Sequence, residues 1–94
     1  MSYLVIGRDG HDAAERRQAQ RQAHLDSVAK LKSEGKILYA VAMLEEGKMV
    51  GSVMVFDFES VEELEVWKAN EPYITGNVWE TVEVMECAVP PAFK

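Results

Sequence analysis

Cysteine is nearly absent from the chain: Cys87 stands alone. One thiol closes no internal disulfide and builds no Cys-based zinc site, and its isolation points to a reducing compartment. Histidine is almost as scarce. His11 and His24 are the only two, without a spacing that suits a metal ion, so neither a metal site nor a cofactor is expected. Positive charge is the minority sign, 10 Lys+Arg against 16 Asp+Glu for a formal net charge of -6. A basic face that displaces counterions from a phosphate backbone is therefore missing, and nucleic acid is not an expected partner. No apolar run approaches the roughly 20 residues that cross a bilayer. The opening Met1-Ser2-Tyr3-Leu4-Val5-Ile6-Gly7 has neither a basic n-region nor a long apolar stretch, so no signal peptide is read there. The expectation is a soluble cytoplasmic domain that does not engage a membrane.

What is present suits one compact unit. The 94 residues are one domain's worth of chain, and 48% are hydrophobic, enough for a core. Tyr3 to Gly7 is aliphatic and β-branched, as in a short buried strand. Arg8-Asp9-Gly10-His11-Asp12 suits a turn. Asp12, with Glu15 three residues on, resembles a capping box opening a helix from Ala13 to Glu34, a stretch without Gly or Pro that Gly35 stops. Ile37 to Leu44 and Met49 to Phe58 read as strands joined at Glu45-Glu46-Gly47-Lys48. Ser60 with Glu63 caps a second helix whose stripe is Val61, Leu64 and Trp67, ended by Asn70-Glu71-Pro72. A loop holding Gly76-Asn77 leads to a last strand, Val78 to Cys87, and Pro90-Pro91 closes the regular structure.

The order β-α-β-β-α-β is the split βαβ pattern of an α+β, ferredoxin-like domain: a four-stranded antiparallel sheet with two helices on one face. Such a sheet should alternate apolar and polar residues. Here it does not. Ile37, Tyr39, Val41 and Met43 fall on one side of their strand, and Leu38, Ala40, Ala42 and Leu44 on the other. The last strand turns Val82 and Val84 one way and Trp79, Met85 and Cys87 the other. The helix-free face therefore needs cover, and a second copy of the chain is the expected supplier, as a homodimer.

Along the long helix, Arg17, Arg21, His24, Val28 and Leu31 share one stripe that passes from cationic to apolar. His24 sits at the border, where an imidazole can rest against packing and reach a polar cavity. Glu71, held before Pro72, can point a carboxylate inward. His11, in a turn, reads as surface. Tyr73 and Trp67 suit the core as well as a ligand.

Taken together, Arg21-Gln22-Ala23-His24-Leu25, Glu34-Gly35-Lys36-Ile37-Leu38, Gly51-Ser52, Asp57-Phe58-Glu59-Ser60 and Asn70-Glu71-Pro72-Tyr73 with Gly76 resemble the YciI-like (YCII-related) family from Tyr3 to the last strand. The resemblance implies a dimeric α+β barrel type of fold. It also implies an active site made of a helix histidine and the Asp of an Asp-Pro-Phe/Tyr motif, and a link to the degradation of halogenated or hydroxylated aromatics. The histidine falls on His24 and the Asp on Glu71, one methylene longer. Arg21 matches the basic residue three before the histidine, and Ser52 follows the glycine that opens the third strand.

A His24–Glu71 pair suits general acid/base work, with the carboxylate setting the tautomer. Arg21 and Arg17 suit an anionic or enolate-like substrate. Tyr39 and Met43 are expected along an apolar cavity between helix and sheet, with Ser52 and Tyr73 as further substrate contacts. Ser52 lacks an evident base and Cys87 lies near the chain end, so proton transfer, isomerisation or elimination is favoured over acyl transfer. The expected function is a cofactor-independent lyase or isomerase acting on a small anionic molecule, aromatic ones included. The alternative is a non-catalytic dimeric ligand-binding or accessory module.

Overall fold

Strand alternation and one-residue irregularities in the strand pairing decide what each side of the sheet carries. In the computed structural model, which describes all residues from Met1 to Lys94, the chain runs β1 (Ser2–Asp9), α1 (Ala14–Ser33), β2 (Ile37–Glu45), β3 (Lys48–Asp57), α2 (Val61–Asn70), α3 (Pro72–Thr75) and β4 (Trp79–Cys87), with a 3-10 turn at Pro91–Phe93. The strands form one antiparallel sheet ordered β2-β3-β1-β4. This is the ferredoxin-like α+β arrangement, with the helical layer on one face. No helix is long and apolar enough to cross a membrane.

Local chemistry sets the element ends. Gly35 has φ +72° and closes α1 in a Schellman motif, its N–H donating to the Lys32 carbonyl at 3.0 Å and that of Lys36 to Leu31 at 2.9 Å. Glu46 and Gly47 both have positive φ, as a two-residue hairpin turn demands. The start of α1 differs from expectation. Asp12 has φ +51°, the N-cap is Ala13, and no side chain caps it. The left-handed backbone of Asp12 leaves its carboxylate beside exposed His11, and Arg16 takes the His11 and Asp12 carbonyls instead. At α2 the box forms by half: Ser60 Oγ accepts from the Glu63 N–H at 3.2 Å, while Glu63 turns its carboxylate to Lys36. The stripe of α2 is Leu64 and Trp67. Val61, in the first turn, is exposed. The segment read as loop around Gly76-Asn77 begins with the single helical turn α3, because Pro72 presets φ at its first position.

Tyr3 and Val5 of β1, Met54 and Phe56 of β3, and Ile37 of β2 face the helices, where Leu64, Trp67 and Tyr73 complete the core. Phe56 stacks on Phe58 at 4.7 Å and tilts against Trp67 at 4.5 Å. In β2 the register slips between Ile37 and Tyr39. The extra residue inverts the parity, so Ile37 shares the helix-covered face with Ala40 and Ala42, while Tyr39, Val41 and Met43 pair with Val55, Val53 and Gly51 on the free face. A second slip, where Asp9 pairs with Trp79 while Arg8 pairs with Thr81, brings Trp79 over to the covered face beside Val82 and Val84. Its indole lies where a Cβ on Gly7 would have to be, so glycine is required there. The free face keeps Leu4, Val53 and Val55 half-buried and Tyr39, Val41 and Met85 exposed.

Candidate functional site

The helix-covered face holds a small set of polar side chains in the dry layer: Arg17, His24, Ser52 and Glu71 are all buried. Seven residues are almost two turns, so Arg17 and His24 point the same way from α1. Ser52 rises from β3 opposite Gly7 and Ala42.

Glu71 is the hinge between α2 and α3. The proline after it holds its backbone extended, at φ −71° and ψ 119°, and makes it the N-cap of α3. Its Oε1 accepts the Tyr73 N–H at 3.1 Å and meets His24 Nδ1 at 2.5 Å. One carboxylate oxygen thus caps a helix and grips an imidazole. With its side chain wholly buried and two donors on one oxygen, the carboxylate cannot swing away. The longer side chain of glutamate still reaches the ring. With Nδ1–H assigned as the donor, Nε2 is left without a protein partner.

The imidazole is also fixed in plane. It stacks on Tyr73 with centroids 3.9 Å apart at 9°, and Trp79 meets it edge-on at 6.2 Å and 81°. The Arg17 guanidinium lies 4.7 Å from the centroid of the same Tyr73 ring. Arg17 Nη2 also donates to Ser52 Oγ at 3.3 Å.

The electrostatics follow from Asp9, whose two carboxylate oxygens take Arg17 Nε at 2.9 Å and Nη2 at 3.1 Å. Burial works against the Arg17 charge, but the Asp9 hydrogen bonds and charge outweigh it, so the guanidinium is held more firmly protonated than usual. Burial pushes the Tyr73 phenol up, with Arg17 and Arg21 pulling it partway back, and it stays a donor.

Arg17, Arg21, His24, Ser52 and Tyr73 supply the polar wall of a cavity of about 230 Å³, whose remaining lining, Met54 among it, is mostly apolar. That is below the roughly 300–1,000 Å³ of drug-sized sites and suits a single small ring. The arrangement can take or give one proton at Nε2 and offer hydrogen-bond donors to an oxyanion. No three His, Cys, Asp or Glu side chains gather closely enough to hold a metal ion.

Of the residues singled out in the sequence, His24, Glu71, Arg17, Arg21, Ser52 and Tyr73 come together. Tyr39 does not. The slip at the start of β2 turns it to the free face, where it meets Phe93 at 5.9 Å and lines a separate apolar cavity of about 360 Å³. Met43 goes to the free face with it, opposite Gly51. Two site residues escaped the sequence reading. Asp9 reads as a turn residue beside Gly10, yet it continues the series Tyr3, Val5, Gly7, and that alternation extended by one step points to it. Simple alternation puts Trp79 on the free face, and no sequence signal marks the irregularity that moves it.

The model of the YCII-related domain family matches residues 1–88. Protein YciI of Escherichia coli O6:H1 is 32% identical over 91 residues, which span 89% of this chain and 93% of that protein. An uncharacterised protein of Haemophilus influenzae is 29% identical over the same shares. Among solved structures, 5-chloro-2-hydroxyhydroquinone dehydrochlorinase of Burkholderia phenoliruptrix, in complex with 2,5-dihydroxybenzoquinone, has a TM-score of 0.86 at 22% identity, covering 100% of both chains. At that identity the likeness establishes the shared fold.

Proposed function

Because the chain belongs to the YCII-related domain family, we propose that it is a small cofactor-independent enzyme of lyase or isomerase type, using His24 and Glu71 as an acid/base pair on a small anionic, aromatic substrate. The observation that carries this reading is the 2.5 Å contact of Glu71 Oε1 with His24 Nδ1, beside a cavity edged by Arg17 and Arg21. Nε2 takes a proton from the substrate, and the electron pair left behind enters the conjugated ring or expels an anion. Arg21 and Arg17 Nη1, the nitrogen that neither Asp9 nor Ser52 takes, stabilise the negative charge that develops on oxygen. Glu71 stabilises the imidazolium meanwhile. In an isomerisation the proton returns to another substrate atom; in an elimination it passes to water as the leaving group departs with its bond pair. A positioned acid/base of this kind contributes about 10² to 10⁴ in rate.

The solved structure of similar fold is named as a dehydrochlorinase of a chlorinated, hydroxylated ring, which makes elimination the first reaction to try. Incubation with 5-chloro-2-hydroxyhydroquinone should release one chloride and one proton per turnover. His24→Ala should slow release by about 10² to 10⁴. Turnover untouched by His24→Ala would end the acid/base reading. The second reading, a ligand-binding or accessory module, draws on the lack of a nucleophile: Ser52 Oγ is engaged by Arg17, with no base on it. A thermal shift with 2,5-dihydroxybenzoquinone, lost in His24→Ala while no substrate of this class turns over, would favour the module.

The working unit in this proposal is a homodimer. Tyr39, Val41 and Met85 stand exposed on one side of the sheet, with half-buried Leu4, Val53 and Val55 among them. A face-to-face pair burying about 1,600 Å² in total would cover them. Sedimentation should give twice the protomer's 10.6 kDa. A folded particle of protomer mass at micromolar concentration would remove the pairing.

A further inference from the structure

Asp9 ends β1 on the face of Tyr3, Val5 and Gly7, so alternation delivers a carboxylate into the layer beneath the helices. Its side chain is 9% exposed, and that of Arg17, which engages both its oxygens, is 11% exposed. A two-point contact between carboxylate and guanidinium fixes the plane of the guanidinium as well as neutralising it. That plane has consequences, because Arg17 lies on the Tyr73 ring and Tyr73 lies on His24. A chain of contacts therefore runs Asp9, Arg17, Tyr73, His24, and it ends on the imidazole that Glu71 holds at Nδ1.

We propose that Asp9 is a positioning residue of this site: it sets the Arg17–Tyr73–His24 stack, and it neutralises Arg17 so that the cavity meets its ligand with hydrogen-bond donors and only one unpaired guanidinium. That unpaired group is Arg21, which lines the cavity and takes part in none of the chain's ion pairs. A site so balanced suits a singly charged ligand, a phenolate or an enolate, better than a dianion such as a phosphate ester. The catalytic consequence rests on the acid/base reading above; the placement of the stack does not. Tyr73 carries a signature of the arrangement. Burial raises its phenol most, Arg17 and Arg21 lower it, and the Asp9 charge adds a smaller rise, so deleting that charge lets the phenol ionise more easily.

The first test needs no variant. In nitrogen-detected exchange measurements on the wild-type protein, the Arg17 Nε–H should be protected and that of Arg21 should exchange freely; equal, fast exchange would overturn the clamp. Asp9→Asn and Asp9→Glu are then titrated by tyrosinate difference absorbance, with Tyr73→Phe identifying the Tyr73 signal. The Tyr73 titration should move to lower pH in Asp9→Asn and return toward the wild-type value in Asp9→Glu. A folded Asp9→Asn whose Tyr73 titrates as in wild type would reduce Asp9 to a stabilising residue and sink the proposal. With 5-chloro-2-hydroxyhydroquinone as substrate, kcat of Asp9→Asn should fall by about 10²-fold with much less change in KM. An unchanged kcat would sink the catalytic half. If the wild-type protein itself fails to turn over, the acid/base reading falls, while the arginine and tyrosine readouts still decide the role of Asp9.

Discussion

The two faces of this sheet carry charge in opposite ways. Beneath the helices, Arg17 with Asp9 and His24 with Glu71 form pairs that water hardly reaches, and their oxygens and nitrogens meet in fixed planes. On the free face, Arg8 donates to Glu83 at 2.7 Å, a distance just as short, but both side chains are about half exposed. Distance therefore does not rank these pairs; burial does. A charge taken out of water depends on the partner that compensates it, the more so at Glu71, whose Oε2 is buried without a hydrogen bond, so a buried pair is an arrangement that the fold must preserve. A surface pair trades one set of solvated partners for another and is worth little. The apolar side chains follow the same division. Aromatic rings lock together under the helices, whereas Tyr39, Val41 and Met85 lie open on the free face.

The comparison can be pressed hardest at Glu71. Glu71→Gln keeps an oxygen for the Tyr73 N–H but withdraws the charge that orients the imidazole. Turnover should fall by about 10² to 10⁴ with the fold retained, as judged by circular dichroism. Next in size, Arg17→Met strands the Asp9 carboxylate in the dry layer and should cost about 3–5 kcal/mol in urea unfolding. A loss no greater than that of a surface pair would mean that water enters this layer freely. Gly7→Ala drives a methyl group into the Trp79 ring, and a cost of about 1–3 kcal/mol is expected by thermal melting. The free face should respond otherwise. Met85→Lys should leave the protomer within about 0.5 kcal/mol of wild type while sedimentation shifts toward single chains. The smallest change is expected from Arg8→Ala, about 0.2–1 kcal/mol and fading as salt is added.

Much of the architecture was legible in the chain because it rests on local chemistry. The span from Ala14 to Ser33 has no Gly or Pro and ends at a glycine that alone tolerates the required φ easily. Glu46-Gly47 declares its hairpin by the same logic. His24 stood out by its place on the stripe of α1, and Glu71 by the proline that follows it. Their meeting, across 47 residues of chain, could be expected only through likeness to a family. Tyr39, Met43 and Trp79 lie on the faces opposite to those that simple alternation predicts, for one shared reason: a single extra residue in a strand inverts every side chain beyond it, and neither Leu38 nor Glu80 announces such a slip. Asp9 was hidden differently, since an aspartate beside a glycine suits a turn as well as a strand end.

By itself, then, the order of residues determined where most helices and strands lie, that one side of the sheet would be left greasy, and which histidine shares a helix stripe with Arg17 and Arg21. Those properties depend on neighbours within a turn or a strand. Only the tertiary structure decided that Asp9 reaches Arg17, that Tyr73 lies flat on His24, and that Tyr39 leaves the cavity altogether. Each depends on the register between distant strands, which is chosen by the packing of the whole core and not by any segment within it.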